Sequence, residues 1–135
     1  MLIKEVPIEK IWQLRQQVMY PKETLEFVKL EDDALGIHLG LYQDDRLLSV
    51  ISLFERDRVV QFRKFATITN EQGKGHGTKL LQYVMDWAIE NEKKTIWCNA
   101  RLSATSLYEK FGMQQTGKSW EKYGIEFIKM QKQLT

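Results

Sequence analysis

The hydrophobic period changes once across three closely spaced glycines, and that change limits what this chain can build. Val59 to Thr69 is rich in β-branched and aromatic residues and reads as a long strand. Gln72-Gly73-Lys74-Gly75-His76-Gly77 follows. From about Thr78 to Asn91, Leu80, Leu81, Val84, Met85, Ala88 and Ile89 make one apolar stripe at helical spacing. A strand that enters a glycine loop and leaves as an amphipathic helix makes a site for an anion. Glycine lets backbone approach a ligand closely. The first helical N–H groups have no partner inside the helix, and the helix dipole adds positive potential there.

The rest of the chain supplies a sheet around that unit. Leu2 to Val6 alternates weakly as a short first strand. Pro7 suits the first turn of a helix carrying Ile8, Ile11, Trp12, Val18 and Met19, which Pro21 stops. Pro21 to Ala34 reads as a loop carrying a short helix. Ile37 to Tyr42 and Leu47 to Phe54 read as strands, and the tight polar turns after them predict an antiparallel meander running into Val59–Thr69. Thr95 to Asn99 is a short buried strand. It follows a strand–loop–helix unit and is expected to run parallel to Val59–Thr69. Ser103 is the expected cap of a second helix bearing Leu107, Tyr108 and Phe111, with Gly112 ending it. Met113–Thr116 and Ile125–Met130 are the last strands, with Gly117, Lys118 and Ser119 in a turn region. The fold class is therefore α+β: a mixed, mostly antiparallel central sheet flanked by helices.

At 135 residues the chain fits one domain, spanning 1–135, large enough to bury a core without disulfides or a structural metal. A net charge of +2 argues against a dedicated nucleic-acid binder. One cysteine, Cys98, excludes an intramolecular disulfide and points to a reducing, cytoplasmic setting. No signal peptide or membrane span is legible, so no membrane partner is expected. His38, His76 and Cys98 lack metal-site spacing, so no metal is expected.

Three phosphate motifs compete for the glycine loop. A P-loop needs glycines five apart, the second followed by Lys and then Ser or Thr, and none here qualifies. A dinucleotide fingerprint needs G-x-G-x-x-G, whereas Gly73, Gly75 and Gly77 are spaced by two and two. Gln72, Gly75 and Gly77 do match Gln/Arg-x-x-Gly-x-Gly/Ala. Downstream, Ala104-Thr105-Ser106-Leu107-Tyr108-Glu109-Lys110-Phe111-Gly112-Met113 matches A-x-x-x-Tyr-x-x-x-Gly-Phe, with Met113 replacing Phe. With both motifs in order, the chain resembles the GNAT family of acyltransferases from Val59 to Met113.

The resemblance implies that Val59–Thr69 and Thr95–Asn99 splay apart to admit acetyl-CoA, the acyl donor. Backbone groups of Ala66, Thr67 and Ile68 would pair with the pantetheine arm. An N–H near Phe65–Thr67 would stabilise the oxyanion. Gln72, Gly73, Lys74, Gly75, His76, Gly77 and Thr78 would hold the pyrophosphate, chiefly through main-chain N–H groups, and Asn99 would reach the pantetheine or the acceptor. Tyr108 is the catalytic candidate, a phenol able to hydrogen-bond or protonate the leaving thiolate. Arg101 stands where many members carry Asn, and it could bind an acidic part of the acceptor or make a surface salt bridge. Arg63 is a second candidate for an acceptor carboxylate. Glu55, Glu71 and Glu126 are candidate general bases, none distinguished from the others. Cys98, in its strand, reads as a buried thiol rather than a nucleophile.

The expected activity is direct acetyl transfer to a primary amine in a ternary complex. The acceptor is a small-molecule or peptide amine, selected by Pro21–Ala34 and Trp120–Gly124, and a homodimer is common among such enzymes. The alternatives are a non-catalytic acyl-CoA sensor on the same fold and an unrelated nucleotide-binding domain.

Overall fold

All 135 residues are described in the structure, a computed structural model. In chain order the elements are β1 (Leu2–Glu5), α1 (Ile8–Met19), β2 (Ile37–Gln43), β3 (Arg46–Arg56), β4 (Val59–Thr67), α2 (His76–Glu90), β5 (Thr95–Arg101), α3 (Thr105–Glu109), β6 (Gln114–Lys122) and β7 (Ile125–Gln133). The strands form one seven-stranded sheet in the order β1-β2-β3-β4-β5-β7-β6. Every neighbouring pair is antiparallel except β4–β5, which is parallel. The mixed, mostly antiparallel sheet read from the sequence is the sheet observed. No helix is long and apolar enough to cross a membrane.

Alternation along β3 divides the core between the sheet's two faces. Leu48 and Val50 pack with Ile11 and Leu14 of α1, while Ile51 and Leu53 pack with Leu80, Leu81 and Val84 of α2. In β4 the phase inverts. Val60 and Phe62 join the α2 side, yet Ala66 and Ile68, also even-numbered, join the α1 side. A period of two forbids this unless one residue is inserted between them. The register skips there: Ser52 faces Arg63 but Val50 faces Ala66, and Lys64 takes a φ of +52°. That bulge bends β4 just before the segment expected to meet a ligand.

The loop after Pro21 does carry short helix, as two 3₁₀ turns, Glu26–Val28 and Asp33–Leu35. Several local expectations are corrected. β4 stops at Thr67, and Thr69–Glu71 is a 3₁₀ turn. Ser103 caps nothing. It lies in a 3₁₀ turn, Leu102–Ala104, and Ala104 occupies the cap position of α3 without a side-chain bond. Gly117 to Ser119 is not a turn but a bulge inside β6, because Thr116 faces Lys129 and Trp120 faces Phe127. Gly112 does end α3, at φ +85°, with Met113 N–H returning to Tyr108 O at 3.2 Å.

Candidate active site

β4 and β5 pair only at Val59–Thr95, Val60–Ile96 and Gln61–Trp97. Beyond Gln61 they part, while β7 stays on β5 as far as Arg101–Phe127. The β4 edge from Phe62 onward therefore faces an open split. Ile68 N–H donates to Leu48 O at 2.9 Å, and its carbonyl accepts from Glu71 N–H at 2.9 Å. The Ile68 backbone N–H and carbonyl are thus both bonded within the fold. By strand alternation the backbone groups of Thr67 turn the opposite way, toward the split. Thr67 O accepts from Gln72 Nε2 at 3.0 Å, so the Gln72 side chain braces the loop against the strand. Ser49 fixes the other side, donating to Ala66 O at 3.1 Å with its hydroxyl 2.9 Å from Thr67 Oγ1. Ser49 was missed in the sequence, although a serine within an apolar strand was its signal.

The loop delivers α2 to the split. Gly73 and Gly75 have φ of +79° and +87°, and a Cβ on either would meet no protein atom within 4 Å. Lys79 is the first α2 residue whose N–H finds a backbone carbonyl, that of Gly75 at 3.1 Å. The preceding N–H groups are free of the helix ladder. Gly77 is close-packed instead, since a Cβ there would lie 3.1 Å from the Phe65 ring.

The charged side chains of the loop turn inward on Glu71. His76 Nε2 lies 3.1 Å from Glu71 Oε1, and Lys74 Nζ donates to Glu71 Oε2 at 3.0 Å. Arg46 stands 3.7 Å from the same carboxylate. The Lys74 bond foremost, then the His76 bond, holds the Glu71 carboxyl below its ordinary range. His76 is buried, and its Nδ1 has no partner.

A cavity of 470 Å³ opens over this loop. Its walls include Ala66, Thr67, Gln72, Gly73, Gly75, His76, Gly77, Thr78 and Tyr108; Lys74, Ile68 and Asn99 do not line it. A second cavity, of 770 Å³, lies beside α1 and the β6–β7 hairpin, and Asn99 and Arg63 line that one. Met19 and Arg101 line both, so the two cavities adjoin at the split. Tyr20, Phe27, Trp120 and Tyr123 also wall the second cavity. The segments 21–34 and 120–124 thus meet around one space although nearly a hundred residues separate them.

Tyr108 sits on α3 with its ring 5.7 Å from that of Phe62. Its helix is tied to β7 by Lys132 Nζ, which donates to Phe111 O at 2.7 Å. Burial pushes the phenol above its ordinary pKa, nearby Cys98 adds to that, and Arg101 opposes it. The hydroxyl makes no hydrogen bond within the protein, which leaves it for a ligand. Cys98 is buried, and burial pushes its thiol up to about 12.

The candidate bases fare unequally. Glu55 lies opposite Val60, at the closed end of the β4–β5 pair, and bonds Lys93 Nζ at 2.6 Å. Glu126 pairs with Glu121 in the hairpin. Only Glu71 lines the first cavity, and Lys74 and His76 occupy it.

The chain matches the acetyltransferase (GNAT) domain over residues 9–134. An uncharacterized N-acetyltransferase of Bacillus subtilis, YitI, is 28% identical over 132 residues, covering 91% of this chain and 89% of that protein. The ribosomal-protein-S18-alanine N-acetyltransferase of Escherichia coli superposes with a TM-score of 0.83 at 15% identity, covering 99% of this chain and 94% of that one. A Bacillus subtilis acetyltransferase in complex with CoA superposes at 0.76 with 20% identity, covering 99% and 97%. The free-edged split, the glycine loop feeding α2 and the match across nearly the whole chain agree: this protein belongs to the GNAT family of acetyltransferases.

Proposed function

We propose that the protein, working as one domain over residues 1–135, transfers an acetyl group from acetyl-CoA directly to a primary amine. One observation carries this reading above the rest: two cavities adjoin at the β4–β5 split, with a free Tyr108 hydroxyl on the loop side of the junction. The 470 Å³ cavity takes the donor, because its floor is the unpaired N–H cluster and the left-handed glycines of the α2 start. The open cradle at Gly73 and Gly75 suits a pyrophosphate in close backbone contact. The Thr67 edge suits the extended pantetheine arm as an added strand. Asn99 belongs with the acceptor side. A single buried, unbridged cysteine agrees with a reducing, cytoplasmic setting.

In the reaction the amine nitrogen bonds to the thioester carbon, the carbonyl becomes an oxyanion facing a β4 backbone N–H, and the C–S bond then breaks. Tyr108 is protonated throughout the working range, because burial raises it above an already high phenol value. A thiolate of ordinary pKa ~8.5 is a weaker base than that phenolate. Tyr108 therefore stabilises the thiolate as a hydrogen-bond donor, and the proton that ends on sulfur derives from the attacking amine.

The test is turnover of acetyl-CoA with a panel of amines, read as free CoA thiol, alongside calorimetric binding of acetyl-CoA, ATP and NAD. Acetyl-CoA binding with amine-dependent CoA release is expected. Acetyl-CoA binding without turnover on any amine would assign a sensor, and binding of ATP or NAD alone would sink the reading.

A further inference from the structure

We propose that the acceptor is an amine whose molecule also carries a carboxylate, of the apolar amino-acid or short-peptide class. This rests on the reading that the 770 Å³ cavity receives the acceptor. Its charged lining is lopsided: Arg63, Lys64, Arg101 and Lys122 against Glu23 alone. The whole chain carries only +2, with 20 basic and 18 acidic side chains. Four cations facing one acid is thus a local concentration, not a reflection of composition.

Of these four cations only Arg63 has an acid within reach inside the protein. The side chains of Arg101 and Lys122 make neither an ion pair nor a hydrogen bond within the chain. Lys64 Nζ donates to the Tyr20 hydroxyl, at 2.7 Å. Arg63 has one long contact, 3.5 Å to Asp32. Cations gathered at a concave wall with few counter-charges favour an anionic ligand. The guanidinium fork of Arg101 suits a carboxylate in particular.

Position narrows the class. Arg101 lines both cavities, so an anion held there lies beside the point where the amine must attack. A carboxylate close to the amine is the arrangement of an amino acid; a carboxylate one or two residues away, toward Lys122, is that of a short peptide. The apolar wall is aromatic on both sides: Tyr20 lies edge-on to Phe27 at 5.2 Å, and Trp120 stacks on Phe127 at 6.0 Å. These surfaces suit an apolar side chain. Polyamines would meet repulsion from four like charges.

Matched acceptors test this: L-phenylalanine against 2-phenylethylamine, the dipeptide Ala-Phe against its C-terminal amide, and spermidine. The readouts are kcat/KM for acetylation and, separately, calorimetric Kd for acetyl-CoA. At least one carboxylate member should exceed its carboxylate-free partner by about ten- to a hundredfold, the worth of a charge-assisted hydrogen bond. Which pair responds separates amino acid from peptide. Arg101→Gln and, for the peptide, Lys122→Gln should remove most of that preference through KM. Lys122 lines only the second cavity, so for Lys122→Gln the Kd for acetyl-CoA should stay within about twofold. Equal or better use of the carboxylate-free member, or preference for spermidine, overturns the inference but leaves the transferase reading intact. A large rise in the acetyl-CoA Kd on Arg101→Gln reassigns Arg101 to the donor and overturns it too. Acetyl-CoA binding with no turnover on any amine overturns the transferase reading and this inference together.

Discussion

Arg15 of α1 and Asp33 of the 21–36 segment form a buried, two-pronged ion pair, with Nη1–Oδ2 and Nη2–Oδ1 both at 2.9 Å. Arg15 is fully buried. The pair is also a hub. Arg15 donates to Val28 O and Ser52 Oγ, while Asp33 accepts from Leu30 N–H and the Trp12 indole. His38 completes it, with Nε2 on Asp33 O at 2.8 Å and Nδ1 on Ser52 Oγ at 2.7 Å. Because Val28 and Leu30 line the second cavity, this hub holds one wall of the acceptor space to the sheet.

Breaking one half of that pair should be costly. Asp33→Asn leaves a buried guanidinium without its counter-charge, a loss of about 3–5 kcal/mol. Urea unfolding checks it. Where the variant still folds, KM for the acceptor should rise more than the Kd for acetyl-CoA, since Val28 and Leu30, which the hub holds, line only the second cavity. Replacing both partners, as Arg15→Met with Asp33→Leu, should cost less than Asp33→Asn alone, because no charge is stranded.

The same pair sets an acid limit. Burial acts to raise the Asp33 carboxyl, but bonds from Arg15, Leu30 N–H and Trp12 outweigh it and bring the value from 3.8 down to about 2. A depressed folded-state pKa contributes stability that is complete above the unfolded value and lost as pH falls through the folded one. Wild-type stability should therefore fall between pH 4 and pH 2. Asp33→Asn, measured by chemical denaturation over the same range, should show a shallower fall.

Much of this was legible in the chain, for reasons that differ by feature. The strand, glycine loop and helix sequence of β4 and α2 was readable because the hydrophobic period changes across the glycines, while Tyr108 was singled out only through the family resemblance of its flanking motif. The strand order of the meander followed from short polar turns. The Lys64 bulge was not readable: one inserted residue in Val-Val-Gln-Phe-Arg-Lys-Phe-Ala-Thr leaves no mark in composition. Yet that insertion turns the backbone at the split. The Arg15 hub joins residues 18 apart through a loop without periodicity. Its one trace was Arg15 at helical spacing from Ile11 and Val18, a charge on the apolar face of α1. The Glu71 cluster was hidden for another reason: the family resemblance assigns Lys74 and His76 to a phosphate, and only the fold shows both turned to an internal carboxylate.

Tyr108→Phe separates chemistry from binding. Losing one hydrogen bond to a charged leaving group, worth about 1.5–3 kcal/mol, should lower kcat by about ten- to a hundredfold. The Kd for CoA should hold, because the ring and its contact with Phe62 remain. Since burial raises the phenol above its usual ~10, wild-type kcat should show no loss from phenol ionisation up to that pH. An unchanged kcat in the variant would remove Tyr108 from the mechanism.

Gly75 tests the loop. It occupies the cap position of α2 at φ +87° and ψ 5°. An alanine there adopts a left-handed conformation at a cost of roughly 1–2 kcal/mol. Its Cβ meets no protein atom within 4 Å. Any loss of acetyl-CoA affinity beyond that strain therefore comes from contact with the ligand. Gly75→Ala should lower Tm modestly and weaken acetyl-CoA markedly, by thermal melting and calorimetry. Gly117→Ala, at φ +76° and also in open space far along β6, carries similar strain and should leave the Kd unchanged.

Cys98 decides between direct transfer and an acyl-enzyme. It lies on β5 within the core shared with α2, and burial pushes its thiol up to about 12. Nucleophilic attack requires the thiolate, and at pH 8 that form is negligible here. Iodoacetamide should therefore leave the folded protein unmodified and label it once urea opens the core. Cys98→Ala, which removes one small buried side chain, should keep kcat within about threefold and lose about 1 kcal/mol of stability or somewhat more. Mass spectrometry during turnover should find no acetyl group on the protein. A stable acetyl adduct at Cys98 would replace the ternary complex with a two-step mechanism, and abolished turnover in Cys98→Ala would point the same way.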